Sequence, residues 1–171
     1  MAALKFVRSV YTDFLAKSGL EPTLLRGIKI TAATPGKVSF ELPIEKHHCN
    51  RLNILHGGTI ASMVDMGGSL VLASRGLWST GVSTDLSVTY LSSGGKVGDV
   101  IRGEAVCDKF GKTLAFTSVR FINKDEQVVA RGSHTKFVAL AQKDENNIVE
   151  QLKPEENESK ASSALGASGS A

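Results

Sequence analysis

One segment constrains the fold of this chain more than any other, because it combines an apolar stripe with glycines and a single acid. Over residues 57–75, apolar or small residues recur three and four positions apart, as on the buried face of a helix: Ile60, Met63, Val64, Gly67, Leu70 and Val71. A helix of this length extends about 28 Å. It is long enough to lie across a whole sheet with the stripe facing it.

The residues on both sides of this helix have the composition of β-strands joined by short turns. β-Branched and alternating positions over 28–43 predict a hairpin that turns at Thr34-Pro35-Gly36. Four more strand-like runs follow the helix, at 81–91, 100–108, 113–123 and 128–140. The breaks between them are short and polar or glycine-containing, which favours antiparallel pairing. The sequence therefore predicts an α+β domain with one long helix against an antiparallel sheet.

The two ends of the chain differ from this central region. Apolar residues at helical spacing, followed by Gly19, predict an amphipathic N-terminal helix over 1–19. Its Lys and Arg residues also suit a mitochondrial presequence, but Asp13 opposes that alternative. The domain is predicted to span 20–140. Residues 141–171, rich in Lys, Glu, Asn, Ser, Ala and Gly, are predicted to be a disordered acidic tail.

Composition limits the classes of protein that this chain can represent. With 171 residues, 42% of them hydrophobic, it can bury one sizeable core, and no apolar run approaches the roughly 20 residues of a membrane span. Cys49 and Cys107 lack a disulfide-framework spacing, so we expect reduced thiols in a cytoplasmic protein, with the mitochondrion as the alternative. Residues 1–141 carry 17 Lys/Arg against 11 Asp/Glu, but no basic stripe. That excess suits a phosphate-bearing small molecule better than nucleic acid.

Asp65 lies beside the apolar stripe, and the residues three and four positions away are all small: Ala61, Ser62, Gly68 and Ser69. A glycine inside a helix costs about 1 kcal/mol relative to alanine. Close approach of another group to the carboxylate is one explanation for such residues. Helix packing through small residues, with an incidental acid, is the other, and the helix alone leaves both open.

The start of the helix offers a second chemical feature. The backbone N–H groups of Gly57, Gly58 and Thr59, together with the helix dipole, predict a place where a carbonyl oxygen can gain negative charge. An ordinary helix entry with turn-forming glycines is the alternative. About 12 Å along the axis separates Gly57 from Asp65, too far for one carbonyl to contact both. If the two cooperate, the acid must come from a second copy, which predicts a symmetric dimer with two sites.

The strand after the helix alternates cleanly apart from Thr84. Its two faces are Val82, Leu86, Val88 and Tyr90 on one side, and Ser83, Asp85, Ser87 and Thr89 on the other. A polar face of this kind is either solvated or part of a site wall. In a site, Ser83 is placed to orient a water molecule or a carboxylate.

Taken together, these motifs resemble the hotdog-fold acyl-CoA thioesterases of the phenylacetate-pathway type, and most of all their eukaryotic thioesterase superfamily member 2 branch. The resemblance rests on His-Gly-Gly with an Asp eight residues after the first Gly, then GVSTDLSVTYL, GKTLAFTSVRF and ARGSHTKF. It spans roughly residues 20–140 and leaves the acidic tail without a counterpart. It implies a hotdog fold, in which an antiparallel sheet wraps around one long central helix.

The resemblance also implies roles for individual residues. It gives the oxyanion N–H to Gly57, the general base to Asp65 of the partner subunit, a supporting hydroxyl to Ser83 and water positioning to Asn50. His56 is expected to be positional, since the family's chemistry uses the carboxylate. The implied reaction is hydrolysis of fatty acyl-CoA, of medium or long chain, to free fatty acid and CoA.

Coenzyme A contacts are implied around the mouth of such a site. The matching positions are Lys46, Asp85, Tyr90, Leu91, Ser92, Ser93, Gly94, Gly95, Lys109, Phe110, Gly111, Lys112, Thr113, Leu114 and Phe137. Two lysines flank Gly111 in a predicted hairpin, which suits phosphate through both charge and exposed N–H groups. The loop over 92–96 is one residue longer than the family's usual loop.

Other functions fit the sequence less well. Adjacent His47 and His48 on an extended segment point to opposite sides, and no second Cys/His pair follows at zinc-ligand spacing. A hotdog hydratase or dehydratase and a non-catalytic acyl-CoA-binding protein are the remaining alternatives. We therefore expect an enzyme without metal or cofactor, and with neither a nucleic acid partner nor a membrane span. It is expected to form homodimers that pair into homotetramers.

Overall fold

The computed structural model describes residues 2–153. Two α-helices and six strands make up the architecture: α1 (Ala2–Lys17), β1 (Lys29–Thr34), β2 (Lys37–Pro43), α2 (Gly57–Ala73), β3 (Val82–Tyr90), β4 (Val100–Phe110), β5 (Leu114–Ile122) and β6 (Val128–Phe137). All strand pairs are antiparallel, in the order β1-β2-β4-β5-β6-β3. The predicted α+β hotdog architecture is confirmed, including its hairpin at 34–36 and its long helix.

Helix α2 packs against the sheet through the stripe that the sequence predicts. All six stripe residues are buried. Two aromatic side chains of the sheet, Phe40 and Phe121, meet edge to face beneath the helix, with ring centroids 6.3 Å apart. A Cβ atom on Gly67 would lie 3.1 Å from the Phe40 ring. Glycine at that position therefore lets the helix sit close to the sheet.

The two edges of the sheet differ in what covers them. At the β1 edge, α1 packs alongside and Arg8 Nη2 donates to the Ile30 carbonyl oxygen over 2.8 Å. At the β3 edge, no other strand of residues 2–153 pairs with the free side. Apolar β3 side chains there are exposed, with Val82 64% and Tyr90 52% accessible. An open apolar edge of this kind is a template for another strand.

A β-bulge in β3 corrects the predicted faces of that strand. Ser83 pairs with Lys136 and Asp85 with Thr135, so Thr84 is the extra residue, and its Oγ1 donates to the Thr135 carbonyl oxygen over 3.1 Å. The inserted residue shifts the phase of the alternation. Ser83 consequently lies on the α2 side of the sheet, whereas Asp85 lies on the outer side.

The prediction of a disordered tail over 141–171 is wrong in its first part. Residues 141–153 pack on the domain through two short 3₁₀ helices, Ala141–Lys143 and Val149–Leu152, in which Ala141 and Leu152 are buried. A few apolar anchors and the side-chain hydrogen bonds of Gln142 and Asn147 order this segment despite its polar composition. The rest of the predicted tail, 154–171, lies outside the described residues.

Two smaller findings concern the cysteines and the helices. Both cysteines are free thiols, and burial raises the pKa of Cys107 to about 11, which keeps its thiol protonated. Across residues 2–153, the helices are all too short or too polar to cross a membrane.

Candidate active site

The first turn of α2 is capped by the histidine that precedes it. His56 Nδ1 accepts the Gly58 N–H over 2.8 Å, and the His56 carbonyl oxygen accepts the N–H of Thr59 over 3.0 Å. The prediction of three open N–H groups is therefore wrong for Gly58 and Thr59. The Gly57 N–H has no acceptor among the described residues and stays available at the positive end of the helix dipole. His56 thus caps the helix start, and its positional role in the reaction stays a prediction.

Tyr90 holds this helix start from the end of β3. Its hydroxyl donates to the Gly57 carbonyl oxygen over 2.8 Å. A Cβ atom on Gly57 would lie 3.2 Å from the Tyr90 ring, so glycine allows this contact. Tyr90 was predicted as a CoA contact. The structure places it where it holds the Gly57–Gly58 peptide, directly after the one that carries the candidate oxyanion donor.

Replacing Tyr90 by phenylalanine is expected to lower kcat/KM about fivefold for the thioester hydrolysis that the resemblance implies. One hydrogen bond of about 1 kcal/mol to the Gly57 carbonyl, which holds the residue with the open N–H in place, is then lost. The matched control is Tyr11→Phe, which removes a hydroxyl that donates to the Leu25 carbonyl oxygen near α1. Steady-state kinetics and thermal unfolding of both variants separate the effects. Tyr11→Phe should lower the melting temperature only; equal kcat/KM losses in the two variants would contradict the role of Tyr90.

Asn50 stabilises the turn that leads into α2. Its Oδ1 accepts the N–H of Leu52 over 2.8 Å and that of Ile54 over 3.4 Å. Because backbone N–H groups only donate, the oxygen must face the turn, which leaves the Asn50 Nδ2 as a donor for a ligand. The turn docks on the 92–96 loop, where the Gly95 carbonyl oxygen accepts the Leu55 N–H over 2.9 Å.

Asp65 is held by two side chains that come from different strands. Ser83 Oγ donates to Asp65 Oδ1 over 2.7 Å, and His134 Nε2 lies 3.0 Å from the same oxygen and 2.8 Å from Ser83 Oγ. The pKa of Asp65 is lowered to about 2 despite its partial burial. The hydrogen bond from His134 is the largest cause, followed by the hydrogen bond from Ser83 and the charge of Lys136. The carboxylate is ionised at neutral pH and 43% exposed, so it can meet a reactant.

His134 and Lys136 were not singled out from the sequence. They face α2 from β6, where their two-residue spacing puts both on the inner side of the sheet. His134 is fully buried, and Lys136 Nζ, also buried, donates to Ser69 Oγ over 2.8 Å. Burial lowers the pKa of Lys136. Two ionisable residues on a core-facing side of a strand were the signal in the sequence that could have located them.

Gly68 is the one of the small residues around the acid whose lack of a side chain the structure explains. A Cβ atom there would lie 2.4 Å from His134 Nδ1 and 2.7 Å from Thr117 Oγ1. The group that approaches Asp65 closely is therefore a histidine of the same chain. Ala61 and Ser62, on the preceding turn, remain half-buried beside the carboxylate.

Apart from Tyr90, the predicted CoA positions lie in four places. Lys46 is exposed on a short 3₁₀ helix, and Asp85 faces the outer side of the sheet. Leu91 is exposed, and residues 92–95 border a cleft with residues 123–125 and 127, although Gly94 itself is buried against Leu55. The remaining positions form the β4–β5 hairpin and the adjacent end of β6: Lys109, Phe110, Gly111, Lys112, Thr113, Leu114 and Phe137.

Comparisons with known proteins identify the family. Residues 52–130 match the family model described as the thioesterase superfamily. A candidate esterase of Schizosaccharomyces pombe is 48% identical over 147 residues, which cover 86% of this chain and 91% of that protein. Human acyl-coenzyme A thioesterase 13 is 41% identical over 116 residues, covering 67% of this chain and 82% of the human one. The chain belongs to the thioesterase superfamily.

A solved structure extends this result to three dimensions. The thioesterase superfamily member 2 of zebrafish superposes on this thioesterase with a TM-score of 0.70 at 34% identity, covering 78% of this chain and 96% of the zebrafish one. The resemblance inferred from the motifs is confirmed, as is the class of enzyme, a thioester hydrolase. About a fifth of this thioesterase has no counterpart in the zebrafish structure.

Proposed function

We propose that this thioesterase hydrolyses fatty acyl-CoA of medium or long chain to free fatty acid and CoA. The observation that carries the proposal is the ionised, half-exposed Asp65, fixed by Ser83 and His134 on a helix whose first N–H, that of Gly57, is open. The substrate class follows the name of the human relative, an acyl-coenzyme A thioesterase. Lysines at the β4–β5 hairpin supply charge that suits the phosphates of CoA.

In the proposed mechanism the two parts of each site come from different subunits. Gly57 and Asp65 lie eight residues apart on one helix, about 12 Å along its axis, so no single carbonyl contacts both. Antiparallel pairing of two β3 edges would extend the sheet and set two α2 helices side by side in opposite directions. The open β3 edge, with its exposed Val82, Leu86 and Tyr90, supports this dimer. We propose further that two dimers form a tetramer.

The reaction then proceeds by attack of water. The partner's carboxylate accepts a proton from the water as its oxygen bonds to the thioester carbon, and the carbonyl electron pair moves to the oxygen that Gly57 N–H and the helix dipole stabilise. Asn50 Nδ2 is a donor that can hold the attacking water in place. Collapse of the tetrahedral intermediate breaks the C–S bond, and the CoA thiolate takes the proton from Asp65. Bound substrate excludes bulk solvent from around Asp65 and the attacking water, which raises the basicity of the carboxylate above that in the free enzyme.

We propose a cytoplasmic location for this enzyme. Helix α1 buries Val7, Val10 and Tyr11 in the core of the domain. Cleavage of a presequence over these residues would expose that core, which favours retention of the helix. Imaging of the tagged full-length protein is the test, with mitochondrial signal as the contrary result.

The decisive test of function is steady-state hydrolysis of acyl-CoA from short to long chain, together with an aryl-acyl-CoA, followed by release of free thiol. We expect turnover that rises toward medium and long chains, since the proposed substrate is a fatty acyl group. Turnover restricted to short or aryl chains would correct the substrate. Binding of acyl-CoA without turnover of any of them would reject the hydrolase and favour a non-catalytic binding protein.

A further inference from the structure

The C-terminal segment, residues 141–153, is anchored to the loop that follows α2. The Ile148 N–H donates to the Gly76 carbonyl oxygen over 2.9 Å, and a Cβ atom on Gly76 would lie 2.5 Å from Val149 N. Asn147 joins the two chain segments, because its Oδ1 accepts the Trp78 N–H and its Nδ2 donates to the Ala141 carbonyl oxygen, each over 2.8 Å. The segment is thereby a fixed part of the domain surface.

From this anchored segment, Gln142 reaches the turn of the β4–β5 hairpin. Its Nε2 donates to two successive carbonyl oxygens, that of Gly111 over 2.8 Å and that of Lys112 over 3.0 Å. One amide group therefore fixes the orientation of two consecutive peptide planes. The Gln142 backbone is itself held, since its N–H donates to the Val138 carbonyl oxygen over 2.9 Å.

The orientation of these two peptides decides where their N–H groups point. The described chain contains no cis peptide, and in a trans peptide the N–H points opposite to the C=O. With both carbonyls turned toward Gln142, the N–H groups of Lys112 and Thr113 point to the other side of the turn. Both residues are exposed, and neither N–H donates to another group within residues 2–153. Two adjacent N–H groups of this kind form a concave site for an anion.

The charges around the turn match that use. Lys109 and Lys112 lie in the turn or next to it, and the nearest acid along the strand, Asp108, accepts a hydrogen bond from Ser118 Oγ over 3.0 Å. We propose that Gln142 is a positioning residue that orients this hairpin turn to bind the phosphates of the CoA nucleotide. This inference rests on the proposed acyl-CoA substrate, and Gln142 acts through the turn without contacting the ligand.

The test compares two substrates and two variants of the full chain. Gln142→Met keeps the length of the side chain but removes its donor. Gln151→Met is the matched control, since Gln151 lies exposed in the same segment. KM and kcat are measured with an acyl-CoA and with the acyl-pantetheine thioester, which lacks the nucleotide and its phosphates. Thermal unfolding of each variant reports on folding.

We expect Gln142→Met to raise KM for acyl-CoA about fivefold, with kcat within a factor of two and KM for acyl-pantetheine unchanged. Gln151→Met should match the wild type on both substrates. Equal KM increases on both substrates, or no increase on either, would overturn the inference. If the wild type hydrolyses neither thioester, the proposed function has failed instead. In that case the Kd of free CoA, measured calorimetrically, tests the inference. A higher Kd in Gln142→Met, but not in Gln151→Met, supports the inference, and an unchanged Kd overturns it.

Discussion

Replacement of Asp65 by asparagine is expected to lower kcat by about 10³-fold, at the upper part of the range for loss of a general base, with little change in KM. The amide cannot accept the proton of the attacking water. Its Oδ1 can still accept the hydrogen bond from Ser83 and face His134, so the surrounding geometry should persist. Asp65→Asn therefore isolates the chemistry of the carboxylate from its structural role.

The control for this variant is Asp13→Asn, which alters a carboxylate of α1 that pairs with Lys17 over 2.6 Å, far along the chain from the site. Stopped-flow or steady-state measurement of thiol release gives kcat, and calorimetry with a non-hydrolysable acyl-CoA analogue gives the Kd. We expect Asp13→Asn to retain wild-type kinetics. A kcat within threefold of the wild type for Asp65→Asn would show that another group activates the water.

Replacement of Gly68 by alanine is expected to lower the free energy of unfolding by about 2 kcal/mol. Overpacking of a core costs about 1–3 kcal/mol, whereas alanine gains about 1 kcal/mol over glycine by helix propensity. Here the overpacking cost should be near the upper end of its range and exceed the gain in helix propensity. The added Cβ would lie 2.4 Å from the ring of His134, which Ser83 and Asp65 hold in place. The displaced ring would also lower kcat.

Gly67→Ala is the matched control for this prediction, since it adds the same methyl group one position earlier in α2. The nearest atoms are those of the Phe40 ring at 3.1 Å, which needs to move only a few tenths of an ångström. Urea unfolding and kcat are measured for both variants. We expect a clearly smaller loss for Gly67→Ala; equal stability of the two variants would mean that His134 does not need the space at Gly68.

Some features of the fold could be predicted from the sequence because they depend only on residues that are close together in the chain. The apolar stripe of α2 and the turn at 34–36 depend on neighbours along the chain, and both were located correctly. The bulge at Thr84 could not be predicted, since one polar residue out of phase with its neighbours also fits a regular strand. That bulge places Ser83 beside Asp65, so the site depends on a feature that only pairing with β6 reveals.

Hydrogen-bond partners were the second feature that spacing could not provide. The sequence indicates three N–H groups at the helix start, but only the structure shows that His56 accepts hydrogen bonds from two of them. His134 was hidden for a similar reason: it comes from a strand about 70 residues after Asp65 in the chain and contacts it across the sheet–helix interface. Polar composition likewise concealed the packing of residues 141–153.

The central claim, that each active site combines Gly57 of one subunit with Asp65 of its partner, is tested most directly by subunit complementation. Asp65→Asn removes the base, and Gly57→Leu fills the approach to the open N–H. Each variant alone should be nearly inactive and should elute as an oligomer with native circular dichroism. The two are then co-expressed in equal amounts and the mixed oligomers are assayed for acyl-CoA hydrolysis.

Random pairing makes half of the dimers mixed, and one of the two sites in each mixed dimer then contains both intact parts. The shared-site account predicts about a quarter of wild-type activity for the co-expressed protein. If each site belonged to one subunit, every site would carry one of the two substitutions. Activity no greater than that of the separate variants would therefore contradict the account.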